Sequence, residues 1–220
     1  MCGRYALHSN PDVIALQFGL GIAPEFKPSY NVCPGSDILV VRENRDGERV
    51  AARHRWGLVP HWAKDPAIGN KLANARGDTV AEKPAFRDAF LKRRCLVPAS
   101  GFYEWHSARG RKSPWYLRPL DAPLFALAGI AAYWKGLYSV SLITTEPNEV
   151  MQPIHERMPV IVPPERYAEW LDRSRQDAAA LMDFVKPYPA ERMAAHAVSP
   201  RVNKPENDDP ALIEAIPTLI

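Results

Sequence analysis

The second residue of this 220-residue chain is a cysteine directly following Met1. A side chain as small as that of Cys2 sterically favours removal of the initiator methionine, and the shortened chain then begins with two nucleophiles on adjacent carbons. They are an α-amine of pKa about 7.7–8.0 and a thiol of about 8.5. An aldehyde meeting this pair condenses with the amine to an imine, and the thiol closes on the imine carbon to give a five-membered thiazolidine. Closure by a group already in place avoids most of the entropy loss of a bimolecular step. The plain alternative is a frayed terminus carrying an incidental thiol.

Three other polar residues bear on that choice. Asn74, in the alternating stretch Ala73-Asn74-Ala75-Arg76, offers a donor and an acceptor together. Glu104 stands between the aromatics Tyr103 and Trp105 on an expected strand. Poor solvation there raises a carboxyl pKa towards neutrality and suits proton exchange, whereas an outward-facing strand residue is the alternative. His155, in Pro153-Ile154-His155-Glu156-Arg157-Met158-Pro159, precedes an apolar strand; it is either a general acid/base or a structural histidine.

The elements that must position these residues follow from punctuation and periodicity. Asn10-Pro11 predicts a capped helix ending at Gly19. Asp37–Glu43 and Glu48–Trp56 flank Asn44-Arg45-Asp46-Gly47 as a hairpin. Helices are expected over Lys83–Arg94, Thr145–Gln152, Pro164–Leu171 and Gln176–Val185. Strands are expected over Cys95–Pro98, Gly101–Trp105, Trp115–Arg118, Leu124–Trp134, Tyr138–Thr145 and Met158–Val162. Hairpins outnumber strand-helix-strand units, which predicts an α+β fold: one domain over residues 1–220, with a largely antiparallel, barrel-like sheet core and peripheral helices.

Composition narrows the class. A hydrophobic content of 46% is ordinary for a globular chain. No apolar run reaches the ~20 residues of a membrane span, and the N-terminus lacks a signal-peptide pattern, so a cytoplasmic protein is expected. Cys2, Cys33 and Cys95 are odd in number and widely spaced, which suggests reduced thiols and no metal site. The net charge is only +3, yet residues 53–118 hold fourteen Lys/Arg against five Asp/Glu. That middle third either docks a polyanion or forms a solvated face, with Lys92, Arg93 and Arg94 complementing a helix dipole.

Taken together, several segments resemble the SOS-response-associated peptidase (SRAP) family, whose members process abasic sites by forming DNA–protein crosslinks. The resemblance runs almost end to end. It is carried by Met1-Cys2-Gly3-Arg4-Tyr5, Tyr30-Asn31-Val32, Trp56-Gly57-Leu58-Val59-Pro60 with Trp62-Ala63-Lys64, Asn74-Ala75-Arg76, Cys95–Trp105 and His155-Glu156-Arg157-Met158-Pro159. It implies a basic channel for single-stranded DNA ending at the mature N-terminus, with catalytic roles on Cys2, Asn74, Glu104 and His155, and neither cofactor nor metal. In this reading His155 and Glu104 assist opening of the deoxyribose, the amine and then the thiolate of Cys2 attack C1', and Asn74 orients them. The imine also allows β-elimination, an AP-lyase side activity.

Arg4, Arg76, Lys71 and Arg87 are the candidate phosphate contacts, which give salt-dependent affinity without sequence choice. Trp62 and Trp56 either stack on bases or pack in the core. The chain is expected to act as a monomer, nucleoid-associated when bound to DNA. Two departures from the family pattern stand out: Cys33 in place of the more usual alanine, either a second reactive thiol or a buried one, and Gly77-Asp78 in place of Ser/Ala-Glu. Two rival readings remain: a cysteine peptidase whose Cys2 is released by self-cleavage, and a non-catalytic single-strand binding module.

Overall fold

The structure is a computed structural model that describes residues 2–108 and 110–217. Its first part contains β1 (Tyr5–Leu7), α1 (Pro11–Phe18), β2 (Ser29–Val32), β3 (Asp37–Glu43), β4 (Arg49–Trp56) and β5 (Asn74–Arg76). The middle holds α2 (Arg87–Lys92), β6 (Arg94–Ala99), β7 (Gly101–Ala108), β8 (Arg111–Pro119), β9 (Phe125–Trp134) and β10 (Leu137–Thr145). The last part has β11 (Met158–Pro159), β12 (Ile161–Val162), α3 (Tyr167–Leu171), α4 (Ala178–Met182) and β13 (Met193–Ala197). The fold is α+β, as the pattern of hairpins predicts.

Five strands close into a barrel in the order β4-β3-β6-β9-β10. Every pairing in it is antiparallel except the closing one, where β10 runs parallel to β4 with Ser139 opposite Arg55 and Val140 opposite Trp56. Closure removes the exposed edges that an open sheet would present. Just past Trp56 the chain leaves β10 and returns as β5, again parallel, with Asn74 opposite Leu142. The base of this excursion is pinched: a Cβ on Gly57, whose φ is +134°, would lie 2.6 Å from the carbonyl oxygen of Gly69. Two glycines therefore allow the loop that carries Trp62 and Lys71 to start and finish beside one strand.

The second sheet, antiparallel throughout, runs β13-β8-β7-β1-β2. The chain crosses into it from the barrel at Ser100-Gly101, where a Cβ on Gly101 would collide with the Tyr116 ring at 2.1 Å. Tyr5 of β1 meets Trp56 of β4 edge to face, ring centroids 5.4 Å apart, which joins sheet to barrel through the apolar core.

Local signals set several elements as expected. Asn10 accepts from the Asp12 amide to cap α1, and Gly19 ends it in the left-handed region. Other expectations need correction. The helix foreseen over Lys83–Arg94 occupies only Arg87–Lys92, because Pro84 sits in a run of turns. No helix forms over Thr145–Gln152; the chain turns there, and Asn148 side-chain bonds to the Met151 amide and the Tyr188 carbonyl replace a helical ladder. Helix in Pro164–Leu171 begins as a 3₁₀ turn, and that in Gln176–Val185 shrinks to five residues. The strand expected over Met158–Val162 divides, its first half pairing β10 and its second β9. No helix among the described residues is long and apolar enough to cross a membrane.

Candidate active site

Cys2 is fully buried at the seam between the two sheets. The side chain of Asn74, carried by β5 on the barrel, donates from Nδ2 to the Cys2 carbonyl at 2.8 Å. Its Oδ1 is buried and accepts no hydrogen bond from the described residues. An acceptor left open next to a residue it already holds is a place for a donor to arrive. The Cys2 thiol lies 3.9 Å from the Arg4 carbonyl oxygen. Burial holds the thiol pKa far above its ordinary value, and the negative charge of Glu104 raises it further. With the residue before it attached, Cys2 is a neutral thiol. Release of Met1 itself lies outside the described residues.

Glu104 comes from β7, only 2% exposed, so of the two readings drawn from its aromatic neighbours the inward-facing one holds. It also lines an open cleft of about 480 Å³ together with Trp105, Ser107, Lys112, His155 and Asn203. Glu104 thus acts on Cys2 from one side and faces the cleft from the other.

His155 reaches the same cleft from the turn before β11. Its Nδ1 accepts the Arg157 amide at 3.0 Å, which puts the proton of the neutral ring on Nε2. Arg157 is itself anchored: Nη2 donates to the Thr144 carbonyl at 2.6 Å, and Nη1 lies 3.6 Å from Asp78. Asp78 also pairs with Arg76 at 2.7 Å, a bond that holds its carboxyl below the usual range. The departure at Gly77-Asp78 is therefore built into the site: Asp78 ties β5 to the segment that carries His155. Gly77 is required as well, since a Cβ there would lie 2.1 Å from Val185 Cγ1.

The expected contact residues divide. Arg4 faces inward: Nη1 donates to Asn31 Oδ1 and to the Val202 carbonyl, both at 2.7 Å, and the guanidinium stands over the Trp105 ring at 5.9 Å. It braces the cleft wall. Arg76, Lys71 and Arg87 are exposed, and none of the three lines the cleft. Trp62 is 50% exposed and open to a ligand, whereas Trp56 is 1% exposed, donates to the Ala73 carbonyl and belongs to the core. Cys33 is half-buried and bonded to the Asn31 carbonyl, with its pKa raised by burial.

Sequence reasoning missed Lys112 and the contact between Trp105 Nε1 and Asn203 Oδ1 at 2.7 Å. Lys112 lies on the outer part of β8, a strand expected to start only at Trp115; the Lys-Ser-Pro before it hid the longer hairpin. Among the described residues no group of three His, Cys, Asp or Glu side chains is placed to hold a metal ion.

Comparison with known proteins decides the lineage. The sequence pattern described as "SOS response associated peptidase (SRAP)" matches residues 1–205. The chain belongs to the SRAP family. It is 42% identical to the abasic site processing protein YoqW of Bacillus subtilis over 224 residues, covering 98% of this chain and 100% of that protein. It is 31% identical to the abasic site processing protein HMCES of Xenopus tropicalis, across 98% of this chain and 78% of that one. A crystal structure of a Bacteroides thetaiotaomicron protein, 27% identical, superposes with a TM-score of 0.88 over 98% of this chain and 100% of that one. The SRAP fold thus accounts for the barrel and the sheet packed on it.

Proposed function

We propose that this SRAP chain, acting as one monomeric cytoplasmic domain that joins the nucleoid when on DNA, processes abasic sites in single-stranded DNA by bonding covalently through Cys2. One observation carries the reading: Asn74 holds the Cys2 carbonyl while Glu104, from the other sheet, acts on the Cys2 thiol. The names of the relatives YoqW and HMCES support the substrate.

The chemistry begins once Met1 is gone and the α-amine belongs to Cys2. Asn74 Oδ1 accepts one amine hydrogen and Nδ2 keeps the carbonyl, which aims the nitrogen lone pair. Glu104 takes the proton of the C1' hydroxyl as the deoxyribose ring opens, and O4' takes one from solvent. His155, held by the Arg157 amide at Nδ1, turns Nε2 to the sugar oxygen and assists the ring opening. The amine then adds to the C1' aldehyde, and a proton passes from nitrogen to oxygen. Glu104 returns its proton to the new hydroxyl, which leaves as water and yields an iminium. The thiol gives its proton to the Glu104 carboxylate as sulfur bonds to C1', and the C=N electrons return to nitrogen. One water is lost, and Glu104 gives its last proton to the solvent that supplied O4', which restores the carboxylate. A neutral thiol beside a regenerated carboxylate suits this order of events. Loss of the 2' proton from the iminium instead gives β-elimination, the AP-lyase side activity.

A cysteine peptidase with Cys2 freed by self-cleavage is the second reading, favoured by the family's description. A thiol held protonated by burial and by a carboxylate suits it poorly, because peptidases attack with the thiolate. Single-stranded DNA with one abasic site, run on a denaturing gel with wild type, Cys2→Ala and an amine-blocked form, separates the readings. A shifted band that needs both thiol and amine is expected; absence of a band with wild type overturns the proposal. Amine blockage spares a thiol-only peptidase.

A further inference from the structure

The barrel has a second mouth, away from Cys2. β10 lies beside Asn74 at Leu142, and four residues earlier, about 13 Å along the strand, Tyr138 faces Tyr133 across the β9–β10 pair. These two tyrosines line a cavity of about 170 Å³ together with His54, Arg42, Lys92 and Arg93.

Three features make this mouth unlike ordinary surface. Tyr133 and Tyr138 are each 51% exposed, their ring centroids 4.9 Å apart, and Tyr138 is backed by the His54 ring at 5.3 Å. Because the two rings already pack on one another, tilted by 49°, a flat ligand stacks on the open face of one of them, edge-on to the other, and does not enter between them. His54, at the floor, is 3% exposed, and its Nδ1 makes no hydrogen bond of normal geometry among the described residues. Burial, and then the charge of Arg42, pull its pKa down to about 4, so its ring is neutral. Positive charge comes from Arg42, Lys92, Arg93, Arg173 and the deeply held Arg94, against the single carboxylate of Glu43.

We infer that this mouth binds one nucleotide unit, its base stacked on one ring of the Tyr133–Tyr138 pair and touching the other, and its phosphate met by Arg42, Lys92 and Arg93. Aromatic platforms beside basic side chains hold bases without sequence choice. The volume bounds the occupant: pockets for whole drug-sized ligands start near ~300 Å³, so this cavity of about 170 Å³ holds part of one nucleotide, the rest of which lies on the surface beside it. A free nucleoside monophosphate and one nucleotide of an undamaged strand present the same chemistry. The inference is independent of covalent chemistry at Cys2, since neither ligand carries an aldehyde.

The full chain is titrated with thymidine monophosphate, with an undamaged single-stranded oligothymidylate and with inorganic phosphate, following the backbone amide signals of Tyr133, Tyr138 and His54. Those signals are expected to shift with one or both nucleotide ligands; the one that binds identifies the source. Tyr133→Ala and Tyr138→Ala should each weaken binding at least about fivefold, the equivalent of ~1 kcal/mol for one stacked base. Lys92→Glu, a surface change that spares the fold, should weaken it and flatten its salt dependence. Failure of both nucleotide ligands to shift these signals, inorganic phosphate binding as tightly as they do, or variants that bind like wild type would overturn the inference. Loss of abasic-site crosslinking with this binding intact would count only against the role of Cys2.

Discussion

The barrel and the five-stranded sheet each hold an arginine inside the protein, and they hold it differently. Arg94 of β6, 5% exposed, spends its guanidinium on the carbonyls of Phe90, Leu91, Trp170, Asp172 and Arg175. Burial lowers its pKa only to about 10, so it stays charged. Among the described residues Arg4, at the head of the sheet, hydrogen-bonds through Nη1 alone, and its buried Nε has no partner. Asn74 Oδ1 and Arg157 Nε, at the same seam, are likewise open. Arg94 spends all three of its nitrogens on the protein and so gains stability, whereas the side chains at the seam leave donors and acceptors unspent where a substrate would arrive.

That contrast breaks most visibly at Arg94. Arg94→Ala strips five carbonyls of their donor and should cost roughly 3–5 kcal/mol in urea unfolding, while Arg4→Ala should cost only ~1–3 kcal/mol. Equal costs would erase the distinction. Asn74→Ala turns the test to the seam: crosslinking should slow about 10- to 100-fold through misplacement of Cys2, with stability changed by about 1 kcal/mol for one neutral hydrogen bond. Rates taken at saturating abasic DNA check this. Gly77→Ala pushes a methyl into Val185 and the Thr144 carbonyl and should cost ~1–3 kcal/mol. Val185→Ala in the same chain should recover part of that cost, but not the share owed to the backbone contact. The smallest effects belong to exposed cations: Lys71→Ala or Arg87→Ala should weaken single-strand binding a few-fold and reduce the slope of log affinity against log salt by ~0.7 for each phosphate that is no longer neutralised. An unchanged slope removes that residue from the DNA path.

Elements whose signals are local could be read from the chain: the capped helix from Asn10 to Gly19 and the β3–β4 hairpin around Asn44 and Gly47 stand as the spacing predicts. Elements defined by distant partners could not. β1, β2 and β13 are three to five residues long and exist because β7 and β8 pair with them or with their neighbours. Ala73–Arg76 showed its alternation, yet nothing local marked it as the parallel partner of β10 that brings Asn74 to Cys2. The residues at the site were legible because the segments that carry them resemble the SRAP family; taken singly, Cys2, Glu104 and His155 each fitted a structural role as well. Their support was not. The link from Asp78 through Arg157 to His155, the inward turn of Arg4 and the place of Lys112 in the cleft depend on contacts between segments far apart in sequence.

Whether Cys2 bonds to an abasic site through both its amine and its thiol is read from the intact mass of the crosslinked species. The predicted mass is that of the chain without Met1 plus the oligonucleotide, less one water, with no hydrogen gained on borohydride treatment and no Cys2 thiol left to alkylate. An adduct that retains Met1, one that takes up two hydrogens as an open imine would, or no adduct at all would rule out the thiazolidine at Cys2.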